Sequence, residues 1–478
     1  MRVPSIILLI TAVFLAGCSK KETEKDKNPA PKTVKPDNKK AVKSDDPKTV
    51  KIPQRRDLTD KSKELVNLYL EGKYEDVSKL LDKKVQSMLT VEKMKSGWDS
   101  VKKDLGKFKQ ISGVTIVDKG TFRRYLVHAE FEKIKMDFKV AWNLDEKVIG
   151  FFLSPRPVEY KNFKDASYVK KDAFKRELVL VNKGKKWELT GELTIPAGKG
   201  PFPAAVLVHG SGPNDLDESI GPNKVFRDIA YGLSSMGIAV LRYNKRTKLH
   251  GLAVTKEAKF TLEEETVDDA VSAAELLKID KRIDAKKIFI IGHSLGAYAM
   301  PLIAQKSDAA GFVMMAGNAR PIEDLSLQQV KYLASLKKEL TSEEHAKIKE
   351  IEQQLRYVKS KELNEKSPST KLPFGIGRPY YWMHLRKYDP IKTLKTVKKP
   401  VLILQGERDY QVTFKEDFAI WKKEFGKSKN VIFKSYPALN HLFIEGKGKP
   451  SPEEYMKPSN VFEGVIKDTA AFILKGKL

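Results

Sequence analysis

The stretch Ile288-Phe289-Ile290-Ile291-Gly292-His293-Ser294-Leu295-Gly296-Ala297-Tyr298-Ala299 decides how the larger part of this chain is read. Its first four residues are β-branched or aromatic and suit a buried strand. The small residues after Gly296 suit the start of a helix. Between them, Gly-x-Ser-x-Gly makes a sharp strand-to-helix turn. The glycines are steric requirements, because side chains beside so tight a turn would clash. Ser294 is then strained, with its hydroxyl exposed. A bare Gly-x-Ser-x-Gly arises often by chance. Its position between strand and helix points to a nucleophile rather than an ordinary turn.

Similar apolar runs lie on both sides of this stretch. Phe174 to Val181 and Trp187 to Ile195 flank Asn182-Lys183-Gly184-Lys185, a hairpin signal. Ala204 to Val208, Ile238 to Tyr243, Ile288 to Ile291, Phe312 to Ala316, Val401 to Leu404 and Val431 to Tyr436 follow, with helical segments between. Such runs indicate a parallel sheet covered on both faces. The expected architecture is α/β, an eight-stranded, mostly parallel sheet with the serine after its fifth strand.

A serine hydroxyl is a weak nucleophile and needs a base. In an α/β-hydrolase arrangement the chain order is Ser, acid, His. Of seven histidines, only His345, His384 and His441 follow Ser294. His345 sits in the charged segment Ser342 to Lys347, and His384 precedes the seventh strand. His441 follows the eighth strand and is the expected base. The expected acid is Asp409, in Gln405-Gly406-Glu407-Arg408-Asp409 after the seventh strand. Glu407 and Asp324 are its rivals. The oxyanion of an acyl-transfer intermediate needs two N–H donors. Leu295 supplies one. Ser211, in His209-Gly210-Ser211-Gly212-Pro213 after the third strand, supplies the other, with Gly212 as alternative.

The segments His209 to Asp215, Phe226-Arg227-Asp228, Val240-Leu241-Arg242-Tyr243-Asn244-Lys245-Arg246 and Gly292 to Gly296 together resemble the dienelactone-hydrolase-related group of bacterial secreted α/β-hydrolases. The resemblance spans residues 165–478. It implies a carboxylesterase acting on short acyl esters of small molecules, with neither metal nor organic cofactor; a peptidase, thioesterase or acyltransferase on the same triad, and a non-catalytic surface binding lipoprotein, are the alternatives. Ala297 departs from the glycine common there, but is small enough to fit. A cap insertion is expected over 319–396, with a charged helical pair from Leu325 to Leu363. Tyr380, Tyr381 and Trp382 follow it and are candidates to line an acyl pocket, or equally to form a lid packed on the core. Arg378 is a candidate to meet a substrate carboxylate.

Before this region, Leu65, Leu68, Tyr69, Tyr74, Val77 and Leu80 recur at helical spacing, and a further helix is expected from Val91 to Leu105. Four alternating strands then run to Leu153. This small α+β domain, residues 58–155, resembles the nuclear-transport-factor-2-like group. His128 is expected to be structural.

After Met1 come Arg2, an apolar run from Val3 to Phe14, and Leu15-Ala16-Gly17-Cys18. The run is too short to span a bilayer comfortably and reads as a signal peptide, residues 1–17. The tetrapeptide resembles a bacterial lipobox, which implies cleavage before Cys18 and its lipidation. Cys18 is the one cysteine, so an internal disulfide is excluded. Residues 18–57 are rich in Lys, Pro, Asp and Thr and read as a disordered tether. The chain is thus expected to be exported and held by membrane lipid at the cell envelope.

The formal charge is +27, from 89 Lys and Arg against 62 Asp and Glu. The basic residues are 73 Lys and only 16 Arg, and they are dispersed. Base readout favours Arg, and no nucleic-acid-binding motif is present. The charge reads as a solvated surface, and no nucleic-acid partner is expected.

Overall fold

The computed structural model describes residues 56–118, 123–156, 163–255, 257, 259–375 and 378–478. The signal segment, Cys18 and almost the whole tether lie outside these residues. The chain divides near residue 160 into two compact units.

The N-terminal unit carries helices Thr59–Leu70, Tyr74–Leu80, Lys83–Met88 and Val91–Leu105. Gly72, with φ 78°, ends the first, and Asp82 caps the third by accepting from the Lys84 N–H, so the expected first helical region is broken into three. Strands β1 (Phe108–Asp118), β2 (Arg123–Phe131), β3 (Lys135–Trp142) and β4 (Val148–Pro155) form an antiparallel meander. On β2, Tyr125, Val127, Ala129 and Phe131 are buried with Leu65, Val66, Val77 and Met94 from the helices. Strand period two puts the intervening residues on the other face. His128 stands there, with Nδ1 2.7 Å from Asp137 Oδ1 and Nε2 2.8 Å from Thr115 Oγ1. Both ring nitrogens are therefore satisfied within the sheet.

The larger unit is built on β5 (Phe174–Val181), β6 (Leu189–Pro196), β7 (Phe202–Val208), a two-strand ribbon of β8 (Ser219–Ile220) and β9 (Asn223–Lys224), then β10 (Ala239–Tyr243), β11 (Ile283–His293), β12 (Gly311–Met315), β13 (Val401–Gly406) and β14 (Val431–Tyr436). The main sheet has the order β14-β13-β12-β11-β7-β10-β6-β5. Only β6 runs against the others.

Alternation explains why these strands read as continuous apolar runs. Ala204, Val206, Ile288, Ile290, Val401 and Ile403 pack in the core on one face. Their neighbours Ala205, Leu207, Phe289, Ile291, Leu402 and Leu404 pack in the core on the other. Each large aliphatic side chain so buried stabilises the fold by roughly 1.5–3 kcal/mol.

The insertion between β12 and β13 holds helices Ile322–Ser335, Ser342–Lys359 and Pro379–Lys387. Thr341 and Glu344 form a reciprocal cap at the start of the second. Val330 and Leu333 of the first share a core with Ile351 and Leu355 of the second. Asp417 fastens the base of the insertion. Its Oδ1 accepts from the Ala319 and Arg320 N–H groups, and its Oδ2 pairs with Arg320 Nη2 at 2.6 Å.

Candidate active site

Gly210, Ser294, Asp409 and His441 all follow the carboxyl ends of β7, β11, β13 and β14, where ligands bind in open α/β sheets. Ser294 has φ 52° and ψ −113°, a left-handed conformation that costs a non-glycine residue of order 1–3 kcal/mol. Surrounding contacts hold it there. The Ser294 N–H donates to the Met315 carbonyl at 2.9 Å. A Cβ on Gly292 would lie 2.4 Å from the Gly296 oxygen, and one on Gly296 would lie 2.2 Å from the Val208 oxygen. Only glycine fits at either place. Ala297 is accommodated because its neighbour is Gly317, where a Cβ would come within 2.8 Å of the Ala297 methyl.

His441 Nδ1 lies 2.7 Å from Asp409 Oδ2, and both side chains are buried. The carboxylate is fixed on every side. Oδ1 accepts from the N–H groups of Gln411 and Val412, and Oδ2 from Gln405 Nε2 at 3.1 Å. With Nδ1 donating to Asp409, the neutral imidazole carries its lone pair on Nε2. The rival acids stand elsewhere. Glu407 accepts from Ser435 Oγ, and Asp324 pairs with Lys359.

Two groups unforeseen from the sequence join these parts. Glu218 is 1 % exposed and has φ 45°. Its Oε1 accepts from the Gly210 N–H at 2.6 Å, and its Oε2 lies 2.9 Å from His293 Nδ1. His293 Nε2 lies 2.9 Å from the His441 carbonyl oxygen. Carboxylate and carbonyl only accept, so both His293 nitrogens must donate. With Glu218 ionised His293 is an imidazolium, and the Glu218–His293 pair links the loop after β7 to the loop that carries His441. Burial opposes charge on the ring, but the Glu218 carboxylate holds the His293 pKa above its ordinary value. Burial likewise opposes charge on Glu218, and His293 holds that carboxyl below the usual range. His209, fully buried and bonded through Nε2 to the Asp215 carbonyl at 3.0 Å, is pushed down to about 4 by desolvation and is neutral. No pattern in the sequence marked Glu218, which lies 75 residues from its partner.

The Ser211 and Leu295 N–H groups have no protein acceptor among the described residues. A Cβ on Gly210 would lie 3.2 Å from Ser294 Cβ, so the Gly210–Ser211 loop borders the serine.

Tyr380, Tyr381 and Trp382 lie in the helix Pro379–Lys387 and meet different surroundings. Trp382 is buried in the core, because Pro379 starts a helix whose inward face takes Trp382 and Leu385. The Tyr381 hydroxyl donates to Glu265 Oε2 at 2.7 Å. Tyr380 is partly exposed, and Arg378 lies exposed at the start of the helix.

Residues 216–446 match the family described as serine aminopeptidase, S33, a span that contains Ser294, Asp409 and His441. The chain is 39 % identical over 403 residues to esterase EstD of Thermotoga maritima, covering 84 % of this chain and 92 % of that one. The chain belongs to the α/β-hydrolase esterase family of EstD. Residues 62–151 match a protein of unknown function, DUF3887. Among solved structures, Est1E from Butyrivibrio proteoclasticus is 14 % identical with a TM-score of 0.40, covering 62 % of this chain and 98 % of that one. The hyperthermophilic esterase from Pyrobaculum calidifontis is 17 % identical with a TM-score of 0.41, covering 66 % and 88 %.

Proposed function

We propose that this EstD-family chain hydrolyses short-acyl carboxylic esters through Ser294, His441 and Asp409. The observation that carries the reading is the buried His441–Asp409 pair, docked through the His441 carbonyl on the residue before a strained serine. Ser294 Oγ adds to the ester carbonyl carbon while His441 Nε2 takes the hydroxyl proton. The oxyanion so formed accepts from the Ser211 and Leu295 N–H groups. The carbon–oxygen bond to the leaving group breaks, and His441 returns the proton to the departing alkoxide. Water then adds to the acyl-enzyme with His441 again as base, and the carboxylic acid leaves as Ser294 regains its proton. The reading uses no metal and no organic cofactor.

The test is a chain-length series of p-nitrophenyl esters beside aminoacyl p-nitroanilides, which the aminopeptidase description of the matched family makes the relevant comparison. Turnover should favour short esters and vanish in Ser294→Ala. Hydrolysis of the anilides alone, or activity retained in Ser294→Ala, would overturn the reading.

The sequence of residues 1–57 supports a further part of the proposal. The chain is exported, cut before Cys18 and held by membrane lipid on a tether, with a nuclear-transport-factor-2-like domain before the hydrolase. Cys18→Ser should leave the protein soluble or unprocessed. Membrane retention of that variant would overturn the anchor.

A further inference from the structure

The segment Val240 to Arg246 takes no part in the steps above, yet Arg242, Lys245 and Arg246 are all buried. Arg242 pairs with Glu192, and Arg246 with Asp269. These pairs join neighbouring elements of the fold. Lys245 does something else. Its Nζ donates to the Gly210 carbonyl at 2.8 Å and to Glu265 Oε1 at 2.6 Å, and the residue is 2 % exposed.

The Gly210 carbonyl and the Ser211 N–H belong to one peptide group. A trans peptide is planar, with its C=O and N–H pointing in opposite directions. Fixing the carbonyl therefore aims the N–H. Asn214 Nδ2 holds the same carbonyl at 3.1 Å, and Glu218 holds the preceding N–H of Gly210. An ammonium on the carbonyl oxygen also polarises the peptide, which strengthens its N–H as a donor. The third link leads to the cap. Glu265 lies in the π-turn Glu263–Val267, and its second oxygen accepts from Tyr381 of the inserted helix. Such π-turns recur at functional sites.

We propose that Lys245 is the positioning residue of the oxyanion peptide Gly210–Ser211, and that Glu265 and Tyr381 couple its setting to the cap insertion. The proposal rests on Ser294 and Ser211 acting as described above. It gives the Asn244-Lys245-Arg246 segment a task in turnover without contact with substrate.

The test compares kcat, KM and the affinity of a trifluoromethyl ketone, which forms an oxyanion on the serine. Lys245→Met strands the Glu265 carboxylate, so Lys245→Met with Glu265→Gln is the main variant. It should lose about 10- to 100-fold in kcat with KM nearly unchanged, below the ~10²–10³-fold typical of deleting a donor outright. Ketone affinity should fall by the same factor, and Lys245→Arg should recover part of the loss. Tyr381→Phe alone should reduce kcat by a few fold, and should add nothing in the Lys245→Met/Glu265→Gln background. Unchanged kcat and ketone affinity in the folded double variant, or a change confined to KM, would overturn the role of Lys245. Additive effects would overturn the link to the cap. If the double variant does not fold, Tyr381→Phe and Lys245→Arg decide by the same readouts. Ser294→Ala, assayed alongside, separates the two levels: its continued turnover would remove the serine reading, whereas its inactivity beside an unaffected Lys245 variant removes only this proposal.

Discussion

Replacing Glu218 by Gln tests the buried link between the oxyanion loop and the His441 loop. The wild-type carboxylate accepts two hydrogen bonds, from the Gly210 N–H and from His293. A glutamine has one oxygen and one NH2. Its oxygen can keep the Gly210 N–H. Its NH2 then faces His293 Nδ1, which must give up its proton to accept. His293 stays bonded to the His441 carbonyl through Nε2, so no buried group is orphaned, but the ion pair becomes neutral. Hydrogen bonds to charged groups contribute ~1.5–3 kcal/mol and neutral ones ~0.5–1.5. Three bonds change class, the third being that of His293 Nε2 to the His441 carbonyl, so the loss should be about 3 kcal/mol at pH 6. The sign of its pH dependence follows from His293. Its folded pKa is raised, so its stabilisation is complete below the unfolded value near 6.5 and is lost as pH rises through the folded value. The gap between wild type and Glu218→Gln should therefore narrow toward alkaline pH. Urea unfolding at pH 6 and at pH 9, with histidine NMR to follow His293, measures this. A pH-independent gap, or a His293 that titrates alike in both proteins, would refute the charged pair.

Other consequences follow from the same geometry. Asp409→Asn should lower kcat by about 10⁴ with little change in KM, because the amide favours the wrong His441 tautomer; steady-state kinetics decide it. Gly296→Ala should abolish both activity and fold, since its Cβ would sit 2.2 Å from the Val208 oxygen, and thermal unfolding reads this directly. Asp228 is pushed up to about 7 by burial, despite accepting from Val461 and Asn460. A raised carboxyl weakens the fold as pH climbs from about 4 to about 7. The stability of Asp228→Asn relative to wild type should rise over that window, measured by denaturant titration across pH.

The strands of the larger unit were legible because each is buried on both faces and so reads as an apolar run. Their ends were less so. β11 starts at Ile283, five residues before the expected Ile288, because Asp284 to Lys287 stay in the strand with charged side chains outward. The elbow at Ser294 and the Asp409–His441 contact were legible because the motif is local and the order Ser, acid, His is sequential. Glu218 and Lys245 were not, because their partners lie 75 and 35 residues away and only the folded sheet brings them together. Tyr380 to Trp382 suited either a pocket lining or a lid packed on the core, because aromatic content alone does not tell which face of a helix turns inward. Trp382 and Leu385, three residues apart, mark the buried face of that helix.

The account turns on Ser294 as nucleophile. Mapping the adduct of a fluorophosphonate probe by peptide mass spectrometry tests this most directly. A single phosphonylated residue, Ser294, is expected, with ester turnover lost in step with labelling. A protein that turns over esters while Ser294 remains unmodified, or that labels at another residue, would contradict it.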